Sequence, residues 1–201
     1  MGFMLFWFVL FVVALVVIYY LWVRPWQLRW GASDEEYTKS MPGDDIVQHP
    51  HFAATRAVNV EAPPEAIWPW IRQMGYGRAG WYSYDFIDHL GKPSSWSILP
   101  EFQNLKVGDD IPFTPWNWLG MRVLAIEENH MIWQDRQDGG TWLWFLEATD
   151  ENHTRLITHR RVRYKWFSAW VVYLLVQDVA DIIMMRKCML GIKARAEKLV
   201  E

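Results

Sequence analysis

The stretch Ala62-Pro63-Pro64-Glu65-Ala66-Ile67-Trp68-Pro69-Trp70-Ile71 decides how the rest of the chain is read. Proline suits the first turn of a helix, where an N–H has no intrahelical partner to lose, and Glu65 complements the positive end of the helix dipole. A helix therefore begins here, runs to about Met74 and stops at Gly75. Before it, Phe52 to Glu61 alternates as a strand does, with Ala53, Thr55, Ala57 and Asn59 on one side and Phe52, Ala54, Arg56, Val58 and Val60 on the other. After it, Trp81 to Leu90 reads as a second short helix ended by Gly91. Strands are expected at about 109–114, 118–127, 130–136, 140–148 and 153–164, with turn signals at Pro115, Glu128-Asn129, Asp138-Gly139-Gly140 and Asp150-Glu151-Asn152. Trp166 to Val200 contains no glycine or proline except Gly191 and reads as one long helix.

That order predicts an α+β domain in which a curved antiparallel sheet grips the long helix and leaves a cavity between them. Residue 62–71, following a strand, resembles the first helix of the SRPBCC superfamily (START-like, polyketide cyclase/dehydrase proteins). Gly80-Trp81-Tyr82-Ser83-Tyr84-Asp85, Ile98-Leu99-Pro100-Glu101, Leu105-Lys106-Val107-Gly108-Asp109 and Met185-Arg186-Lys187-Cys188-Met189-Leu190-Gly191-Ile192-Lys193 are similar to segments of one bacterial branch of it. The resemblance covers about Phe52 to Glu197 and implies the helix-grip fold. For activity it implies less, because the superfamily hosts binders, lipid carriers and a few enzymes.

Phe3 to Val23 holds only apolar and aromatic residues. As a helix it spans about 31 Å, close to a hydrocarbon core of about 30 Å. A cleaved signal peptide would want a basic start and small residues at the cut, whereas Tyr19-Tyr20-Leu21-Trp22-Val23 is bulky. An uncleaved single-pass anchor is expected over residues 1–24, with Tyr19, Tyr20, Trp22 and Trp26 as an interfacial aromatic belt and Arg24 and Arg29 flanking it. Those two arginines place the main domain in the cytoplasm by the positive-inside rule. Residues 25–45 are expected as a juxtamembrane linker, its acidic part capped at Ser33-Asp34-Glu35-Glu36, and 46–201 as the START-like domain. Trp166 to Met185 is apolar enough to suggest a second span, but Asp178 and Asp181 would each cost about 2.5–3.5 kcal/mol near the bilayer centre.

Several chemistries are set aside. A net charge of −3 gives no footprint for nucleic acid, and the single Cys188 rules out an intrachain disulfide or a thiolate metal cage. Gly75-Tyr76-Gly77-Arg78-Ala79-Gly80 matches the dinucleotide fingerprint but follows a helix rather than a strand, so it is read as a connection whose glycines let a loop move over a cavity mouth. Asp85, Asp88 and His89 share a helix face, which suits either a solvated surface or a metal or general base. His49 and His51 flank Pro50 in a loop. No catalytic set, metal site or cofactor motif is assigned.

Trp142, Trp144 and Leu146 alternate with Leu143 and Phe145, making both faces of that strand apolar, so something is expected to cover the outer face: membrane, another subunit or the juxtamembrane segment. Arg155, His159, Arg161, Arg163 and Lys165 form a basic stripe suited to lipid headgroups or to water. Arg160 shares the apolar face, where Asp178 or Asp181 would pair with it or with Arg122. The function expected is non-catalytic binding of a small hydrophobic or amphipathic molecule at the inner membrane surface. Trp68, Trp81, Tyr82, Tyr84, Trp142, Trp144, Arg160 and Asp178 are the expected lining. Two alternatives stand beside it. One is an accessory subunit of a larger membrane complex; the other is a cyclase-like enzyme using Tyr82, Tyr84 or Asp85 in proton transfer.

Overall fold

A computed structural model describes residues 2–168 and 170–200; Met1, Ala169 and Glu201, which fall within the expected anchor, long helix and domain, lie outside the described residues. Helix α1 (Gly2–Ile18) continues through a π-helical turn (Tyr19–Val23) into α2 (Arg24–Leu28), and α3 (Asp34–Thr38) follows. Among the described residues, Gly2–Leu28 is the one helix long and apolar enough to cross a membrane. Strand β1 (Phe52–Val60) leads to α4 (Pro64–Arg72) and α5 (Asp85–Asp88). Strands β2 (Asp110–Pro112), β3 (Gly120–Ile126), β4 (His130–Asp135), β5 (Thr141–Ala148) and β6 (Thr154–Val162) then form a meander, and α6 (Trp170–Val200) completes the domain. The sheet order is β1-β6-β5-β4-β3-β2, antiparallel throughout, with Phe52 opposite Val162 and Val60 opposite Thr154. A register shift between Val123 and Ala125 marks an irregularity of the kind that bends a strand. The sheet curves around α6, as the sequence pattern predicts.

The core lies between the sheet's inner face, α4 and α6. Trp133, Trp142 and Trp144 form a ring cluster there with centroids 4.9–5.6 Å apart. Each such pair contributes about 0.5–1.5 kcal/mol beyond the area it buries. Met185, Met189 and Ile192 of α6 pack into the same core. Gly191 lets α6 approach the segment after Trp81, because a Cβ at that position would sit 2.2 Å from the Tyr82 carbonyl oxygen.

The outer face is covered by the chain's own segment before β1. Met41 packs with Ala57, Ile132, Leu143 and Ile157. Ser33 and Glu36 form a reciprocal capping box on α3, and Glu36 accepts from Arg155 Nε at 2.6 Å. Asp44 lies 3.0 Å from both Arg161 and His159. Burial pushes the Asp44 carboxyl up, but His159, the Met41 N–H and Arg161 together hold it down at about 2. Arg155, His159 and Arg161 of the basic stripe are therefore paired with the acidic segment, and only Arg163 and Lys165 are fully exposed.

Two helices are shorter than their sequence pattern. Tyr82 adopts a left-handed φ of 56° and its N–H donates to Ser94 Oγ at 3.0 Å, which keeps residues 81–84 out of α5. Ser168 Oγ accepts from the Trp170 N–H at 3.2 Å, and Trp166, Phe167 and Ser168 form a turn, so these three residues of the apolar run lie outside α6.

The N-terminal apolar helix is fastened to the domain at the π turn. Five residues along an α-helix place side chains about 140° apart. The i→i+5 register, seen in the Arg24 N–H bonded to the Tyr19 carbonyl, brings Tyr19 and Arg24 close to one face. Both reach Asp178: Tyr19 Oη donates at 2.7 Å and Arg24 Nη2 at 3.0 Å. Gln27 Nε2 donates to the Asp178 carbonyl at 2.7 Å, and Tyr164 Oη to its carboxylate at 2.5 Å.

Candidate functional site

A cavity of about 440 Å³ lies between the concave sheet and the first half of α6. The parity of β5 and β6 turns Trp142 and Arg160 inward, and one face of α6 presents Tyr173, Gln177, Asp181, Met184 and Cys188. Trp81 and Phe113 close one side; their rings meet edge-on at 5.0 Å, and Trp81 stacks on Trp142 at 6.1 Å. Ile87 and Val176 stand exposed at the rim. Most of the wall is apolar, which suits a hydrophobic occupant.

Its polar groups are few and specific. Asp181 pairs with Arg56 and lies 3.5 Å from Arg160 Nη1. Arg56 is fully buried and its Nε also donates to the Gln27 carbonyl at 2.8 Å. With its amide oxygen turned toward the guanidinium, Gln177 accepts from Arg160 Nη1 at 3.1 Å, and the guanidinium lies 5.7 Å from the Trp142 ring centre. Two guanidinium groups, Arg56 and Arg160, thus share the Asp181 carboxylate at the cavity wall. Asp88 lies in the wall too; burial, then the neighbouring Asp85 charge, raises its carboxyl to about 6. Among the described residues, neither oxygen of Asp88 nor Nε1 of Trp142 has a protein hydrogen-bond partner. Burial also pushes the Cys188 thiol up, which suppresses the reactive thiolate.

The expected lining residues divide. Trp81, Trp142 and Arg160 meet in the cavity wall. Trp144 sits behind it, fully buried against Trp133. Tyr82 is turned into the core by its backbone, its hydroxyl donating to the Trp70 carbonyl at 3.0 Å and its ring under Arg195. Tyr84 precedes α5 and is exposed. Trp68 lies at the far end of the sheet, donating to the Glu128 carbonyl at 3.2 Å. Asp178 faces the N-terminal helix instead of the cavity, and Arg122 pairs with Asp110 at 2.9 Å. Of the residues weighed for proton transfer, Asp85 is taken up by Ser94, accepting from its N–H at 3.0 Å and its hydroxyl at 2.5 Å. Among the interfacial residues, Tyr20, Trp22 and Trp26 are exposed, Tyr19 and Arg24 are turned to Asp178, and Arg29 pairs with Asp34.

The glycine-rich segment is a closed clasp, with Gly75 and Gly80 exchanging backbone hydrogen bonds at 3.1 and 3.2 Å, and it does not border the cavity. His89 is buried, its Nδ1 2.8 Å from the Lys92 carbonyl. Among the described residues no three potential metal ligands cluster. Sequence pattern missed Phe113, Tyr173, Gln177, Asp181 and Met184 as lining. Only Asp181 carried a signal, as a possible partner for Arg160.

No protein-family model and no curated protein matches the sequence. Among solved structures, the chain is similar to a hypothetical protein of Helicobacter pylori, with 13% identity, a TM-score of 0.50, and coverage of 78% of this chain and 95% of that one. It is also similar to a polyketide-cyclase-like protein of Corynebacterium glutamicum, with 17% identity, a TM-score of 0.47, and coverage of 74% and 93%. A third is an HSP90 activator of Plasmodium falciparum, with 15% identity, a TM-score of 0.44, and coverage of 69% and 96%. At such identities the likeness is one of fold: a curved antiparallel sheet around a long C-terminal helix.

Proposed function

We propose that this chain is a membrane-anchored, non-catalytic binder of a small hydrophobic or amphipathic molecule, held on the cytoplasmic face by its N-terminal helix. The observation that carries the reading is the aromatic-walled cavity of about 440 Å³ with one charged cluster at Arg160. That volume falls within the roughly 300–1,000 Å³ typical of small-ligand sites. The apolar wall takes the body of the ligand, and Arg160, with Gln177 and Trp142 Nε1, takes a polar or anionic head. The anchor reading rests on the length and composition of Gly2–Leu28 and on the aromatic and basic residues at its end.

Native mass spectrometry of the full chain, extracted gently from its own membrane, tests this. The expected result is a one-to-one apolar adduct that falls at least tenfold in occupancy in Trp142→Ala or Arg160→Met. A bare chain overturns the binding reading. A chain recovered only within a larger stoichiometric assembly favours an accessory subunit.

A further inference from the structure

The sheet has two chemically opposite ends. At one end Val60, Thr154, Ala148, His130 and Ile126 leave the sheet, and its loops carry the exposed acids Glu61, Glu127, Glu128, Glu147, Asp150 and Glu151. At the other end Phe52, Val162, Thr141, Asp135, Gly120 and Pro112 line up through the strand register. The loops there carry Trp116, Trp118, Trp166 and Phe167, all exposed, Phe167 completely. Their exposed charges include Arg163 and Lys165.

The anchor projects from this second end. Arg24 Nη2 donates to the His51 carbonyl at 2.9 Å, the Gln27 carbonyl accepts from Arg56, and the Trp30 carbonyl accepts from the Ala57 N–H at 3.2 Å. Residues 24 to 30 thus run alongside β1 from its start, and the helix before Arg24 continues past the sheet's end. The aromatic loops are tied to the same place. Trp166 Nε1 donates to His51 Nε2 at 3.3 Å, Lys165 Nζ to the Gln137 carbonyl at 3.2 Å, and Gln137 Nε2 to the Trp118 carbonyl. Val172 and Val176, in the first turns of α6, are exposed beside them. Three of the cavity's wall residues, Phe113, Trp142 and Tyr173, belong to this end as well.

We infer that this end of the domain seats on the bilayer surface that the anchor enters, so that the cavity opens toward lipid. The inference rests on the anchor reading above. Tryptophan and tyrosine favour the headgroup level, where Trp22 and Trp26 of the anchor lie, and each basic residue close to an anionic surface adds about 1 kcal/mol. The acidic end points away from the anionic leaflet. A hydrophobic ligand then passes between bilayer and cavity without crossing water.

The test uses the full chain in phosphatidylcholine–phosphatidylglycerol nanodiscs, in a Cys188→Ala background. Single spin labels are placed by Trp22→Cys, Trp116→Cys, Phe167→Cys and Glu151→Cys, and their collisions with oxygen and with a water-soluble nickel chelate are measured. The expected result is an oxygen-to-nickel ratio several-fold higher at 22, 116 and 167 than at 151. Labels at 116 and 167 that behave like 151, while 22 remains oxygen-rich, overturn the seat and leave the anchor standing. Labels at 116 and 167 shielded from both reagents overturn it in favour of a protein partner. A water-exposed label at 22 overturns the anchor reading and the seat together.

Discussion

Asp178 and Asp181 lie three residues apart on α6 yet serve different partners. Asp178 is saturated by Tyr19, Arg24 and Tyr164, whereas Asp181 holds Arg56 and pairs more loosely with Arg160 at the cavity wall. Which aspartate faces the cavity depends on how the N-terminal helix docks, a contact more than 150 residues away in sequence, and no local pattern carries it. Trp142 and Arg160 were legible because strand parity alone turns them inward. Tyr82 was not, because its left-handed backbone reverses the direction a helix would give it. Asp88 is the residue whose environment makes the sharpest stability forecast. Burial and Asp85 raise its carboxyl from the ordinary 3.8 to about 6, so the folded chain binds that proton more tightly than the unfolded one. Stability therefore falls as pH rises from about 4 to about 6 and stays lower above. Asp88→Asn removes the charge: it raises stability at pH 7.5 by about 1 kcal/mol, after allowing for solvent screening of a partly exposed group, and leaves it unchanged below pH 4. Thermal melts of the two chains at both pH values check this.

At the scale of elements, the strands matched their alternation to within a few residues, and the long helix was announced by its uninterrupted run. The helix face was harder. The first half of α6 is apolar almost all round, with Leu174 buried and Val172, Val176 and Val179 exposed, so periodicity does not say which side meets the cavity. Gly191 decides how closely α6 approaches the rest. In an exposed helix interior, glycine to alanine gains about 1 kcal/mol. Here the new Cβ would collide with Tyr82, so Gly191→Ala is expected to destabilise by about 2 kcal/mol, as overpacked cores do. A urea melt in detergent that found Gly191→Ala more stable would contradict the close approach.

At the scale of the whole molecule, the distribution of tryptophan separates two jobs. Trp70, Trp81, Trp133, Trp142 and Trp144 build the core and cavity wall, while Trp22, Trp26, Trp116, Trp118 and Trp166 are exposed. The acidic segment before β1 neutralises the outer sheet face with Glu36 and Asp44, while the loops at the aromatic end keep their tryptophans exposed. That the cavity holds a hydrophobic ligand is tested by photolabelling of the full chain in nanodiscs. A fatty acid carrying a diazirine on its acyl chain is irradiated, and the labelled peptides are mapped. Adducts are expected within residues 173–188 and near Trp142, lost when excess unlabelled fatty acid competes and reduced in Arg160→Met. Label confined to the anchor, residues 2–28, would contradict it.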